Sequence, residues 1–453
     1  MVFESVNPAT GERLKSYPEL STAEALRQVE ALHQNYRQSR ERSRTERIPK
    51  LKKLAHLLQE GKSRYASLIT QEMGKPIAQA EAEIEKCAWA TDFYADKGID
   101  FLKETPVKTD ASKSLIRYDP LGIILAIMPW NFPFWQVFRC AVPAILAGNA
   151  VLLKHAPNVP ACALAIEELF QEAGLGGLFQ SLFIDLETTA RLIESPVVRG
   201  ISLTGSDRAG SAVASLAGKH LKKVILELGG SDPFIVLDDA NLELAVPAAI
   251  QARIQNSGQS CIAAKRFLVA EKIADRFEEA VIASVRRQRV GDPLDRSVTI
   301  GPIAREDLLV KLMKQVDESR ACGAKLAAGG ERLQAKGFFY LPTVLLQARP
   351  GMTVFDEETF GPVVVITRVQ DDEEAIRLAN QTAYGLGASL WTNDLKRAEP
   401  LISKIEAGSV FVNGAVHSDP RLPFGGIKRS GIGRELGREG ILEFTNIKTV
   451  WIR

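Results

Sequence analysis

One of the chain's five cysteines sits in a setting unlike that of the other four. In GQSCIAAKR, Gly258 to Arg266, the residues Gly258, Gln259 and Ser260 make a poor helix interior. They place the Cys261 thiol at a helix end or on a loop, where backbone dipoles can stabilise a nucleophilic thiolate. The competing reading is a small buried hydrophobe, the commoner fate of a lone cysteine. Cys87, Cys140 and Cys162 lie within helical or apolar runs and Cys322 adjoins Gly323, so these four read as structural.

Three further segments carry groups that such a thiol needs. In VILELGGSDP, Val224 to Pro233, Glu227 stands between Leu226 and Leu228 at the end of an apolar run. A carboxylate there is costly unless paired or used, and burial raises its pKa toward the range of a general base. A structural ion pair is an equal alternative. In MPWNFPFWQVFR, Met128 to Arg139, prolines and aromatics surround Asn131. Pro129 and Pro133 forbid continuous helix there and stiffen the loop, and a rigid amide donor suits an oxyanion hole. An aromatic core loop with Asn131 as its turn residue explains the same letters. LTGSDRAG, Leu203 to Gly210, reads as a strand, a Gly205–Ser206 turn and a helix start whose N–H groups can face a phosphate. It is not a GxGxxG fingerprint, and a plain tight turn accounts for it too.

These groups act only if secondary structure brings them together. The first hundred residues read as helices, with apolar spacing of three to four over residues 22–38 and 42–60, a stop at Gly74 and Pro76, and a further helix over 78–97. From Leu121 apolar strand patterns (121–130, 150–156, 178–185, 198–205, 222–230) alternate with helical ones (160–173, 187–193, 208–219). That alternation implies right-handed βαβ units and a parallel, Rossmann-like sheet. A second α/β pattern begins near Ser231, with helices over 240–255, 272–289 and 308–322 and strands over 266–271, 363–369 and 409–415. The closing TNIKTVWIR alternates like a strand that must pair somewhere, and a neighbouring subunit offers one partner.

At about 150 residues per domain, 453 residues suggest about three domains or two large ones. Lys plus Arg number 57 against 55 acids, a net charge of +2, which gives no electrostatic case for nucleic acid or a membrane surface. The start, MVFESVNPATGE, lacks the apolar core of a signal peptide, and the longest apolar stretch, Leu121 to Pro129, is too short for a membrane span. The scattered, odd cysteine count points to free thiols in a reducing compartment, hence the cytoplasm. His33, His56, His155, His220 and His417 are dispersed, and no metal-ligand spacing is present.

Taken in order, PWNFP, LLKHAP, LTGS, ELGG, GQSC, EETFGP (357–362) and PFGGIKRSGIGRE (423–435) resemble the aldehyde dehydrogenase superfamily. The similarity runs from NPATGE to the C-terminus, and the short N-terminus, LLKHAPNVP and ELGGSDPFIVL look especially like the short bacterial succinate-semialdehyde dehydrogenases. It implies an α/β fold: a Rossmann-like NAD(P)-binding domain (1–101 and 121–228), a second α/β catalytic domain (229–435) and a small β oligomerisation element (102–120 and 436–453). It implies Cys261 as nucleophile, passing through a thiohemiacetal and a thioester, Glu227 as general base, and Asn131 with the Cys261 N–H as oxyanion hole. For the cofactor it implies Lys154 at the adenosine ribose and Gly205 and Ser206 near the pyrophosphate. Glu358 and Phe360 would set the nicotinamide ribose and ring, with Trp130, Ala156, Pro157 and Leu228 lining the same site.

One departure bears on cofactor choice. Where many relatives place an acid that binds the ribose hydroxyls of NAD, this chain has Pro157. Its absence removes repulsion from the 2′-phosphate of NADP, and Lys154 and His155 could attract that phosphate. NADP is therefore the expected preference, with NAD as a second cofactor. For the substrate, Arg139 and Ser418 match positions that hold a semialdehyde carboxylate, and Trp135, Phe132 and His417 would line its aliphatic part. A second arginine found six residues before the nucleophile in some relatives is Gln255 here. The resemblance thus implies oxidation of succinate semialdehyde, or of another short semialdehyde such as that of glutarate, by a homodimer or homotetramer. An acyl transfer to coenzyme A and a non-catalytic oligomer of the same fold are the competing expectations; Glu227 argues against the first and the intact Cys261, Glu227 and Asn131 against the second.

Overall fold

The computed structural model describes residues 2–453. Its frame is a pair of mainly parallel sheets. The first has six strands in the order Gly431–Ile432, Lys223–Glu227, Val198–Thr204, Ile123–Met128, Ala150–His155 and Phe179–Ser181, parallel except for the first. From Ile123–Met128 the chain moves outward on one side, then returns to build Val198–Thr204 and Lys223–Glu227 on the other. That reversal opens a crevice at the carboxyl ends of the central strands. The PWNFP loop, the Gly205–Ser206 turn and Glu227 all follow or end these strands.

The second sheet has seven strands in the order Lys325–Ala328, Thr343–Leu346, Val363–Val369, Ala264–Ala270, Asp232–Val236, Gly387–Trp391 and Ser409–Val412, parallel except at the first. Every residue of Ala264–Ala270 and Asp232–Val236 is buried, as expected for strands covered on both faces. Cys261 lies on the loop that enters Ala264–Ala270. The alternation read from Leu121 onward matches these elements closely; 363–369 is a strand over its whole length, while 178–185 shortens to Phe179–Ser181.

Three expectations change. The first hundred residues are not all helical, because Val2–Val6 and Arg13–Pro18 pair antiparallel ahead of the helix Thr22–Arg40. The two prolines do interrupt helix at residues 129–133, but helix Trp135–Leu146 begins directly after them, and all its residues are buried. The C-terminal strand Thr445–Ile452 does not wait for a neighbouring subunit: it pairs antiparallel with Lys113–Pro120 of the same chain over eight residues. This three-stranded sheet is completed by Thr105–Pro106, and Thr445–Ile452 forms its outer edge. Among the described residues, no helix is long and apolar enough to cross a membrane.

Candidate active site

Two clefts meet at the Cys261 thiol. The first, about 550 Å³, is lined by Phe132, Trp135, Arg139, Lys86, Ser418 and Gln255 among others; the second, about 220 Å³, by Trp130, Asn131, Gly205, Ser206, Leu228, Glu358 and Phe360. Cys261 lines both.

The loop that presents it is bent by force of contacts. Helix Leu242–Ile254 stops, and Asn256, Ser257 and Gly258 follow with φ of 55°, 56° and 75°. That region is open to glycine and costly for side-chain-bearing residues. A Cβ on Gly258 would run into the Gly361 carbonyl. Asn256 is held there by donating from Nδ2 to the carbonyls of Asn131 (2.7 Å) and Gln259 (3.0 Å), and Ser257 Oγ accepts from the Gly301 N–H at 2.9 Å. Asn131 Nδ2 donates to the same Gln259 carbonyl at 3.1 Å, which leaves its second N–H hydrogen available. Lys265 Nζ ties down the carbonyls of Ser260 (2.9 Å) and Cys261 (2.7 Å) and lies 3.3 Å from Glu358.

The thiol is on a loop, as read from Gly258–Ser260, but the expectation of a dipole-stabilised thiolate is corrected. The loop follows a helix C-terminus, the end that disfavours an anion. Burial pushes the Cys261 thiol up to about 11; Arg139 and Lys265 lower it, and Glu358 and Glu227 raise it. Glu227 ends its strand 2% exposed, and neither carboxylate oxygen has a hydrogen-bond partner. The ion pair weighed for it is absent among the described residues. Burial holds its carboxyl well above the usual range, with Arg139 opposing and Glu435 adding. Gly425 of PFGG leaves its room, since a Cβ there would lie 2.7 Å from Glu227 Oε1. Glu227 lines neither cleft in this conformation.

The first cleft is set by buried charge pairs that the sequence reading missed. Glu83 Oε1 accepts from the N–H groups of Phe134 (2.9 Å) and Trp135 (3.0 Å), satisfying donors at the start of helix Trp135–Leu146. Lys75, fully buried, pairs with Glu83 and lies 3.7 Å from the centre of the Phe132 ring. Arg139 lines the cleft but is 2% exposed, ion-paired with Glu435 and bonded to Thr204 Oγ1 at 3.2 Å, so its charge is already matched. Ser418 Oγ accepts from Lys86 Nζ at 2.7 Å. His417 is exposed at the rim.

The second cleft is shaped by strand ends, by helix Glu306–Ala321 and by the loop that carries Glu358 and Phe360. Trp130 and Phe360 meet edge to face, centroids 5.7 Å apart. Glu358 Oε1 accepts from the Gly230 N–H at 3.1 Å. Buried Arg253, also missed, donates to the carbonyls of Thr359 (3.0 Å) and Gly361 and so fixes the residues on either side of Phe360. The Gly205 N–H is spent on the Glu227 carbonyl at 2.9 Å, so it is not free for a phosphate. Exposed Ser206 caps helix Asp207–Lys219, accepting from the Ala209 N–H. Lys154, Ala156 and Pro157 line neither cleft; Lys154 is half-buried without a hydrogen-bond or ion-pair partner among the described residues, and Pro157 is exposed. His155 is removed from the cationic set: it is buried, its Nε2 contacts the Pro133 carbonyl at 2.9 Å, its Nδ1 accepts from the Ala156 N–H, and burial lowers its pKa to about 4.

Comparison with known proteins places this arrangement. Residues 1–450 match the aldehyde dehydrogenase family. The chain is 49% identical, over the whole of both chains, to a Synechocystis sp. protein named "Probable succinate-semialdehyde dehydrogenase, NADP(+)". It is 47% identical over 448 residues, 99% of this chain and 97% of the other, to the Escherichia coli succinate semialdehyde dehydrogenase, NAD(P)+, Sad. The crystal structure of succinic semialdehyde dehydrogenase from Streptococcus pyogenes in complex with NADP+ superimposes with a TM-score of 0.97 at 37% identity, covering 99% of each chain. Sequence and architecture agree from end to end, and the chain belongs to the aldehyde dehydrogenase family.

Proposed function

We propose that the protein oxidises succinate semialdehyde to succinate, with NADP as preferred cofactor and NAD as a second. The observation that carries this is the sharing of Cys261 by two clefts, one able to hold a short polar-ended chain and one a flat ring. The names of the relatives and the NADP+ in the Streptococcus pyogenes structure support both substrate and cofactor.

The second cleft fits a dinucleotide. Trp130 and Phe360 offer flat apolar walls, Glu358 an acceptor for ribose hydroxyls, and Leu228 a buried floor. Ser206 at a helix N-terminus suits the pyrophosphate. Beyond it, unpartnered Lys154 with Ala156 and Pro157 presents no acid to a 2′-phosphate. When bound there, the nicotinamide accepts the two electrons and the hydrogen that leave the aldehyde carbon.

The chain's own residues do the rest. The Cys261 sulfur forms a bond to the aldehyde carbon as its proton leaves to solvent. The free N–H of Asn131 and the Cys261 N–H steady the oxyanion, a contact stronger for the anion than for the neutral carbonyl. Once the thioester stands on Cys261, a water adds to its carbon, Glu227 takes the water's proton, and the C–S bond breaks to release the acid. Glu227 must rotate out of its recess to do so. Phe132 and Trp135 hold the aliphatic part, and Arg139 and Ser418 present the polar end of the cleft. A coenzyme A transferase would have no use for Glu227.

We also propose a cytoplasmic homodimer or homotetramer, organised as a cofactor domain, a catalytic domain and an oligomerisation sheet. The free outer edge of Thr445–Ile452, with exposed Ile447, Trp451 and Ile452, supports the last. A steady-state panel of aldehydes with both cofactors tests the main reading. Succinate semialdehyde with NADP should give the highest kcat/KM; equal efficiency with butanal would refute the substrate.

A further inference from the structure

We infer that Lys86, with the Ser418 hydroxyl beside it, is the principal cation that holds the substrate's carboxylate and sets the preference for a carboxylated aldehyde. The inference rests on the reading of the first cleft as the semialdehyde site. Besides the Cys261 thiol, the cleft's ionisable groups are Glu83, Lys86, Arg139 and His417. Glu83 is consumed by Lys75 and two backbone N–H groups. Arg139 is consumed by Glu435 and Thr204. His417 is exposed, with Nδ1 3.0 Å from the Ala415 carbonyl. The nearby acid Asp419 is paired with Arg421 at 2.6 Å. Lys86 is the remaining charge, and no carboxylate lies within ion-pair distance of it among the described residues.

Its position is defined. Nζ donates to Ser418 Oγ at 2.7 Å and sits 4.5 Å from the centre of the Trp135 ring, whose face favours a cation. An ammonium has three N–H donors, so two remain for a carboxylate. Burial lowers its pKa to about 8, with Arg139 pushing the same way and Cys87, Asp419 and Glu83 opposing. A half-buried cation without a counterion is unfavourable, and an entering carboxylate removes that penalty. An uncharged aldehyde does not. Gln255, uncharged, adds no competing cation to the cleft.

The test compares succinate semialdehyde with butanal in wild type, Lys86→Met and Lys86→Arg. The ratio of kcat/KM for the two substrates should fall about 10- to 100-fold in Lys86→Met, chiefly through the KM for succinate semialdehyde, and recover in large part in Lys86→Arg. If Lys86→Met does not fold, Lys86→Gln replaces it and the same ratio decides. A ratio unchanged within about threefold would overturn the inference, as would an equal loss with both aldehydes, which marks Lys86 as packing. If wild type itself shows no preference for succinate semialdehyde, the substrate reading fails and the inference with it. A retained wild-type preference that survives in Lys86→Met rejects Lys86 alone.

Discussion

The two clefts that share Cys261 are built in different ways. The cofactor-side cleft gathers segments that follow three neighbouring strands, the PWN segment after Ile123–Met128, the turn after Val198–Thr204, and Leu228–Gly229 after Lys223–Glu227, and closes them with helix Glu306–Ala321, Glu358 and Phe360. The substrate-side cleft lies between helices Ile77–Phe101, Trp135–Leu146 and Leu242–Ile254, with charges pinned by Lys75–Glu83 and Arg139–Glu435. Segments that follow parallel strands are placed by the sheet topology. A side-chain site depends on remote pairs, so specificity there can change without disturbing the cofactor cleft.

Removing the thiol that the clefts share should have the largest effect. Cys261→Ala should lower kcat/KM by a factor of about 10⁴ or more, over 5 kcal/mol, while NADP binding measured by calorimetry persists. Residual oxidation within about tenfold of wild type would contradict the nucleophile assignment. Next comes the pair under the substrate side. Lys75→Met leaves Glu83 buried without its cation and should cost about 3–5 kcal/mol of stability, read as a lowered urea midpoint. An unchanged midpoint would mean that the pair does not hold the PWNFP loop.

A smaller effect concerns the thiol itself. With its pKa near 11, the thiolate fraction grows as pH rises, so iodoacetamide labelling of Cys261 in the free enzyme should quicken about tenfold per pH unit between roughly 7 and 10. A plateau near neutrality would restore the dipole-stabilised thiolate. The smallest effect is outside both clefts, where the 2′-phosphate of NADP is expected. Pro157→Glu, on an exposed site, should weaken NADP by about 1 kcal/mol, roughly fivefold, and leave NAD favoured. An unchanged KM for NADP would place the 2′-phosphate elsewhere.

What could be read in the sequence follows the same division. Strand-to-turn motifs carry local signals, so LTGS, ELGG and the PWNFP loop were legible as segments at strand ends, as were the parallel strands around them. Even so, letters alone did not show that the Gly205 N–H is spent on the Glu227 carbonyl or that His155 is buried and neutral. The substrate side was less legible because its key groups look like ordinary helix residues. Glu83 and Lys86, three apart in a helix rich in charge, differ from solvated neighbours only once helix Trp135–Leu146 packs against them. Arg253 was hidden for the same reason, since its carbonyl partners at Thr359 and Gly361 come from a loop that only the tertiary fold places there. The positive φ run at Asn256 and Ser257 has no local signature at all, because contacts with Asn131 and Gly301 impose it.

In the proposed mechanism Cys261 carries the acyl group from one cleft while the other receives the electrons, and Glu227 then frees it. Glu227→Gln mixed with succinate semialdehyde and NADP in a stopped-flow instrument, followed by peptide mass spectrometry, tests this directly. The predicted result is a burst of reduced cofactor stoichiometric with active sites, slow turnover afterwards, and a thioester on the Cys261 peptide. Normal steady turnover without a burst, or an acyl adduct on any residue other than Cys261, would contradict it.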